Sequence, residues 1–427
     1  MAKIKTKGFS LAAAALAMFG ARAEVPTFVG ELTVTTNALT RCVEVAYELD
    51  REAIVTLDVL TNGVSIGGRY MRRQTGAVNR RVAAGPQTLQ WLPDPEWDGA
   101  DGLSLRVRAY ATDNPPDCLV ASLTTNIVRF YESVEALPGG ISDRRYATDF
   151  LVMRKIPAKG VRCKIGTPTT EPLRGGDPRE WLHVVEFTND FYAAVFPVTQ
   201  AQYRHVMSNS GGAFTSGADA PRRPVTRIPF SAVRGLKYSW PEDGHRVDEN
   251  SFLGKLRART GIRSLDLPTE TRWEYAARAT CGNSLYTGVD VTNGAASTND
   301  VDEVAWTYYN TLTNETVNST MPVGLKKPNA WDLYDTIGNC FEFCLDYATT
   351  DWKTLYGDAV AVDPPGPTTG YAQIVNTMRA MRSSSPWPDG KAMPNYRVGL
   401  RSFQLYQQDN QSNHDYRGFR VFCEASL

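Results

Sequence analysis

The feature that most restricts how this chain folds is a change of texture near residue 148. Before it, apolar and polar residues alternate. Val43, Val45, Tyr47 and Leu49 are interleaved with Glu44, Ala46 and Glu48, and Leu103, Leu105, Val107 and Ala109 with Ser104, Arg106 and Arg108. Period-two alternation buries one face of a strand and wets the other. After residue 148, apolar segments become short, and tryptophan, glycine and proline punctuate long connections. Two folding units of different kinds follow from this: an all-β module, then a region of short strands and long loops.

The N-terminus adds an expectation about compartment. Lys3, Lys5 and Lys7 precede the apolar run Phe9–Gly20, which ends at Ala21-Arg22-Ala23. This order of parts is that of a secretory signal peptide over residues 1–23, and the run is too short to span a bilayer as a mature helix. The protein is expected to be exported, to the periplasm, the cell surface or the medium. No later stretch reads as a membrane span. Lys+Arg and Asp+Glu both number 46, so nothing in the charge balance points to nucleic acid.

Residues 24–134 then read as an immunoglobulin- or fibronectin-like β-sandwich, and the Pro- and Gly-bearing segment 135–147 as a linker. Cys42 and Cys118 are candidates for a bridge within the sandwich. The four histidines, His183, His205, His245 and His414, show no i, i+4 metal-ligand spacing.

Residues 148–427 carry the informative motifs. Pro197-Val-Thr leads into a helix that Thr199 caps, with Gln202 three residues on as in a capping box. Leu267-Pro-Thr-Glu-Thr-Arg-Trp-Glu-Tyr-Ala-Ala opens a second helix, with Thr269 as its cap and Trp273, Ala276 and Ala277 on one face. Pro328-Asn-Ala-Trp-Asp-Leu-Tyr-Asp-Thr-Ile-Gly-Asn-Cys-Phe-Glu-Phe, Arg379-Ala-Met-Arg-Ser-Ser-Ser and Arg417-Gly-Phe-Arg follow. Five blocks in this order resemble the formylglycine-generating, or sulfatase-modifying-factor, family. The resemblance implies a C-type-lectin-related α+β fold.

Active members of that family oxidise a sulfatase cysteine with copper held by two cysteines. Ungapped alignment from Ser385 to Ser402 puts those cysteines at Pro388 and Met393. Proline offers no ligand and a thioether is a weak one, so copper is not expected here. The usual arg-gly-gly-ser block has become Arg382-Ser-Ser-Ser, which suggests a reshaped cleft floor. The family also implies a structural calcium. Its ligands would be the side chain of Asp335 and the carbonyls of Thr336, Gly338 and Cys340, with Asn339 and Glu342 bracing the loop. Around the cleft stand Trp387, Asp389, Tyr396, Arg397 and Arg401, aromatic and charged side chains suited to a peptide or glycan outside the cytoplasm. The expectation is an exported, non-catalytic binding protein with no nucleic-acid partner. The alternative is a metal-dependent oxidoreductase of the same class with a non-standard site. Cys340 and Cys344 would be its nearest soft ligands if their segment coils, and are buried core residues otherwise.

Overall fold

The structure is a computed structural model that describes residues 10–13, 25–175, 180–209, 217–293, 295–311, 320–349, 351–367, 379–386, 395–401 and 416–426. It divides into two compact units. The first comprises Met1–Ala121, Val128–Asp143 and Ala425–Leu427, and the second Ser122–Ile127 and Arg144–Glu424.

The first unit is built from β1 (Ser10–Ala13), β2 (Thr33–Thr36), β3 (Val43–Leu49), β4 (Ala53–Thr61), β5 (Val64–Ser65), β6 (Gln74–Gly76), β7 (Arg80–Val82), β8 (Gly85–Trp91), β9 (Leu103–Tyr110), β10 (Cys118–Ser122) and β11 (Val128–Tyr131). One sheet runs β2-β3-β8-β6, all antiparallel. In the other, β4 pairs antiparallel with β5, β7 and β9, and β1 lies parallel to β9. The alternation read from sequence is realised residue by residue: Val43, Val45, Tyr47 and Leu49 are buried, and so are Leu103, Leu105 and Val107. Both sheets contribute to one core, in which Trp91 and Leu89 meet Val55, Val59 and Leu105. Cys42 and Cys118 are not bridged, and the described residues form no disulfide. In the segment expected to be a linker, Leu137 is buried and the Glu135 carbonyl accepts the Gly68 N–H.

The second unit has short strands and short helices joined by long connections. Its strands are β12 (Phe150–Ile156), β13 (Arg162–Ile165), β14 (His183–Glu186), β15 (Phe191–Ala194), β16 (Phe341–Tyr347), β17 (Ala361–Val362), β18 (Arg379–Arg382), β19 (Arg417–Gly418) and β20 (Phe422–Glu424). They form three small groups: β12-β15-β20 antiparallel, β13-β14-β17, and β16 between β18 and β19. The helices are α1 (Gln200–Met207), α2 (Phe230–Arg234), α3 (Phe252–Thr260), α4 (Glu270–Arg278), α5 (Ala295–Val304) and α6 (Trp352–Tyr356).

The helix starts are those the sequence signals. Thr199 accepts from the Gln202 N–H while the Gln202 side chain accepts the Thr199 N–H, a reciprocal capping box. Thr269 accepts from the Arg272 N–H at the start of α4. Ala279, in the left-handed region, ends α4. This helix lies against β13, β16 and β18. Its Trp273, Tyr275, Ala276 and Ala277 join a core that includes Phe187, Phe191, Leu333, Tyr396 and Phe422. Burying side chains of this size stabilises by about 1.5–3 kcal/mol each.

Candidate functional site

The site is framed by an ion cluster centred on α4. Glu270 and Glu274, one turn apart, lie on the buried stripe with Trp273 and Ala277. Arg382, at the end of β18, spans both: Nη1 donates to Glu270 Oε1 at 2.8 Å and Nη2 to Glu274 Oε2 at 2.9 Å. Arg278 Nε donates to Glu274 Oε1 at 2.8 Å. Arg401 comes within 3.0 Å of Glu270 Oε1 and packs over the Trp352 ring at 4.3 Å. Burial pushes the Glu274 carboxyl up, but Arg382, Arg278 and Arg401 outweigh it and hold the group well below the usual carboxylate range. A second anchor lies alongside. Glu342 accepts from Trp273 Nε1 at 2.6 Å and from Arg420, whose Nη1 also donates to the Ala194 and Val195 carbonyls.

Three of the five expected cleft residues belong to this frame. Arg397 is buried and donates to Glu171 Oε1 at 2.8 Å and to both oxygens of Glu180. Tyr396 is in the core, where its hydroxyl accepts the Tyr308 N–H at 2.9 Å. Arg401 is committed to Glu270. The other two, Trp387 and Asp389, lie outside the described residues, as do Pro388 and Met393. The Arg382-Ser-Ser-Ser segment is buried. Ser383 holds φ +66, and its hydroxyl donates to the Gly338 carbonyl at 3.1 Å. A left-handed serine costs on the order of 1 kcal/mol or more, which this buried contact offsets.

The Asp335–Cys340 loop is tightly folded. Asp335 is buried without an ion pair. Oδ2 accepts the Gly324 N–H at 2.9 Å and Oδ1 accepts from Asn339 Nδ2 at 3.1 Å. Burial raises its pKa to about 6. Asn339 also exchanges two bonds with the Met321 backbone. Gly338, at φ +79, is needed because a Cβ there would sit 2.3 Å from the Trp306 carbonyl oxygen. A buried carboxylate with only neutral donors fits a cation, and the Thr336 hydroxyl is buried with no protein partner. The Gly338 carbonyl already accepts from Cys340 N–H and Ser383, so it would be shared with any ion. Glu342 braces Trp273 and Arg420 rather than this loop directly.

Cys344 lies in extended β16, and Cys340 immediately precedes that strand. Four residues of strand separate them by about 13 Å, too far to share one metal or one disulfide. Burial raises both thiols well above their usual range, so neither is an available thiolate. Among the described residues, no three His, Cys, Asp or Glu side chains converge to hold a metal ion.

The acidic pair is what the sequence reading missed. Glu270, Trp273, Glu274 and Ala277 fall on one helical stripe, and two glutamates on an apolar stripe signal buried cationic partners. Glu274→Gln is expected to cost about 3–5 kcal/mol, because it leaves buried arginines underneutralised. The Glu274 carboxyl is depressed, so its stabilisation is present above the ordinary value of 4.5 and is lost as pH falls below it. Urea unfolding between pH 7 and pH 3 should therefore show a difference between wild type and variant that shrinks on acidification. A constant difference contradicts this assignment.

The sulfatase-modifying factor enzyme 1-like domain model matches residues 159–425. The formylglycine-generating enzyme of Streptomyces coelicolor is 33% identical over 162 residues, 38% of this chain and 47% of that protein. The one from Thermomonospora curvata is 32% identical over 164 residues, 38% of this chain and 49% of that protein. The chain thus spans about half the length of these curated relatives. Among solved structures, Treponema denticola variable protein 1 aligns with a TM-score of 0.47 and 21% identity, over 64% of this chain and 95% of that one. With the model match covering more than half of its residues, the chain belongs to the sulfatase-modifying factor family.

Proposed function

We propose that this protein is an exported, non-catalytic member of the family that uses the diverged loop of its cleft to bind a peptide or glycan. The observation that carries the reading is the pair Pro388 and Met393 at the positions of the copper-binding cysteines. Cys340 and Cys344 cannot replace that pair, being buried and about 13 Å apart along one strand. With Tyr396, Arg397 and Arg401 committed to the frame, recognition falls to Trp387 and Asp389. The N-terminal unit is read as an immunoglobulin- or fibronectin-like sandwich that presents the second unit or binds on its own account. Residues 1–23 act as its export signal. The oxidoreductase alternative has no convergent ligand set among the described residues to support it.

The family's structural calcium would be held by the Asp335 carboxylate with the carbonyls of Thr336, Gly338 and Cys340. Its contribution is charge neutralisation in a buried loop, not chemistry.

Two experiments test this reading. Oxygen uptake by the purified full chain, supplied with copper and a cysteine-containing sulfatase peptide, should stay at background; peptide-dependent uptake contradicts a non-catalytic role. Calcium at 100 times its dissociation constant should stabilise the protein by about 2.7 kcal/mol through preferential binding to the folded state. Asp335→Asn should abolish that gain in thermal unfolding. A wild-type melting curve indifferent to calcium contradicts the ion site.

A further inference from the structure

The first unit carries a groove that no part of the family reading uses. It has a volume of about 580 Å3 and is lined by β3, β8, the segment leading into β2, and Arg80 of β7. The size lies within the range of about 300–1,000 Å3 usual for small-molecule sites. Its floor is set by one small residue. Ala46 stands between Thr33 on β2 and Thr88 on β8, in a single rung across three strands. Val45 and Tyr47 point into the core, so Ala46 and Glu48 face outward. A small side chain in the middle of a polar rung leaves a depression between its neighbours.

The walls hold charges of both signs that do not pair. Glu31, Glu48 and Arg80 are exposed and line the same groove, yet none forms a salt bridge with another described residue. Other polar clusters of this unit are paired. On the same sheet face, Gln90 donates to Glu44 at 2.9 Å and Thr75 donates to Gln90 at 3.3 Å. On the other sheet, Arg106 pairs with Asp58 and Glu132. The charges of the groove are not committed to one another. Gln87 adds an amide, Thr33 and Thr88 add hydroxyls, and Val29 and Pro86 add apolar surface.

The charge pattern selects the ligand class. A basic peptide would meet Arg80, and an anionic polymer would meet two carboxylates. A neutral ligand rich in vicinal hydroxyls meets neither penalty. Carboxylates, a guanidinium and an amide are planar groups that bond two adjacent hydroxyls at once, and the apolar patches suit the C–H faces of a pyranose ring. We propose that this groove is a binding site for a neutral oligosaccharide, separate from the cleft of the second unit.

The test uses the full chain and four uncharged hexasaccharides (laminarihexaose, cellohexaose, mannohexaose and chitohexaose) in titration calorimetry. At least one should bind. Glu48→Ala, Arg80→Ala and Ala46→Phe, which fills the depression, should each weaken that binding by about tenfold or more. Ala46 and Glu48 are outward positions of β3 and Arg80 is an exposed residue of β7, so the unfolding midpoint should be unchanged. Trp387→Ala should leave the affinity intact, which separates this groove from the cleft. The proposal is overturned if none of the four sugars binds at millimolar concentration, or if binding survives all three groove substitutions. It is equally overturned if binding disappears with Trp387→Ala instead, or if polylysine or heparin occupies the groove where the neutral sugars do not.

Discussion

The second unit depends on a fully buried carboxylate, Glu274, surrounded by three arginines. Removing one glutamate from water costs several kcal/mol, and the structure recovers this through Arg278, Arg382 and Arg401 acting together. Each arginine comes from a different part of the chain: α4 itself, the end of β18, and the stretch after the diverged loop. The cluster therefore does more than balance charge. It fixes where those three segments meet and in which register.

That arrangement has a consequence for the cleft. Arg382 anchors the chain just before Ser383–Ser385, and Arg397 and Arg401 anchor it just after the segment that carries Pro388 and Met393. Both ends of the segment are tied to buried glutamates, whatever lies between them. A segment whose ends are tied in this way can change its side chains without unfolding its support. Ser383, at φ +66, is braced in its left-handed turn by the Gly338 carbonyl.

Much of this was legible in the sequence, because the signals were local. The capping box at Thr199, the cap at Thr269 and the alternation through Val43–Leu49 each depend on residues within a few positions of one another. The roles of Tyr396, Arg397 and Arg401 were not legible. Arg397 meets Glu171 and Glu180 across more than 200 positions, a distance that no periodicity reports. Near a cleft, an arginine that binds a ligand and one that holds the frame look alike until their partners are known. The groove on the first unit escaped for a related reason. Its residues are ordinary outward-facing strand positions, and only the register that sets Ala46 between two threonines turns them into a concavity.

On the function proposed above, copper is not held because Pro388 and Met393 stand at the two ligand positions. Anaerobic Cu(I) titration of wild type beside the Pro388→Cys, Met393→Cys double variant tests it directly. The account predicts no tight copper in the wild type and one Cu(I) per chain in the double variant. Stoichiometric copper in the wild type, or none in the double variant, would contradict it.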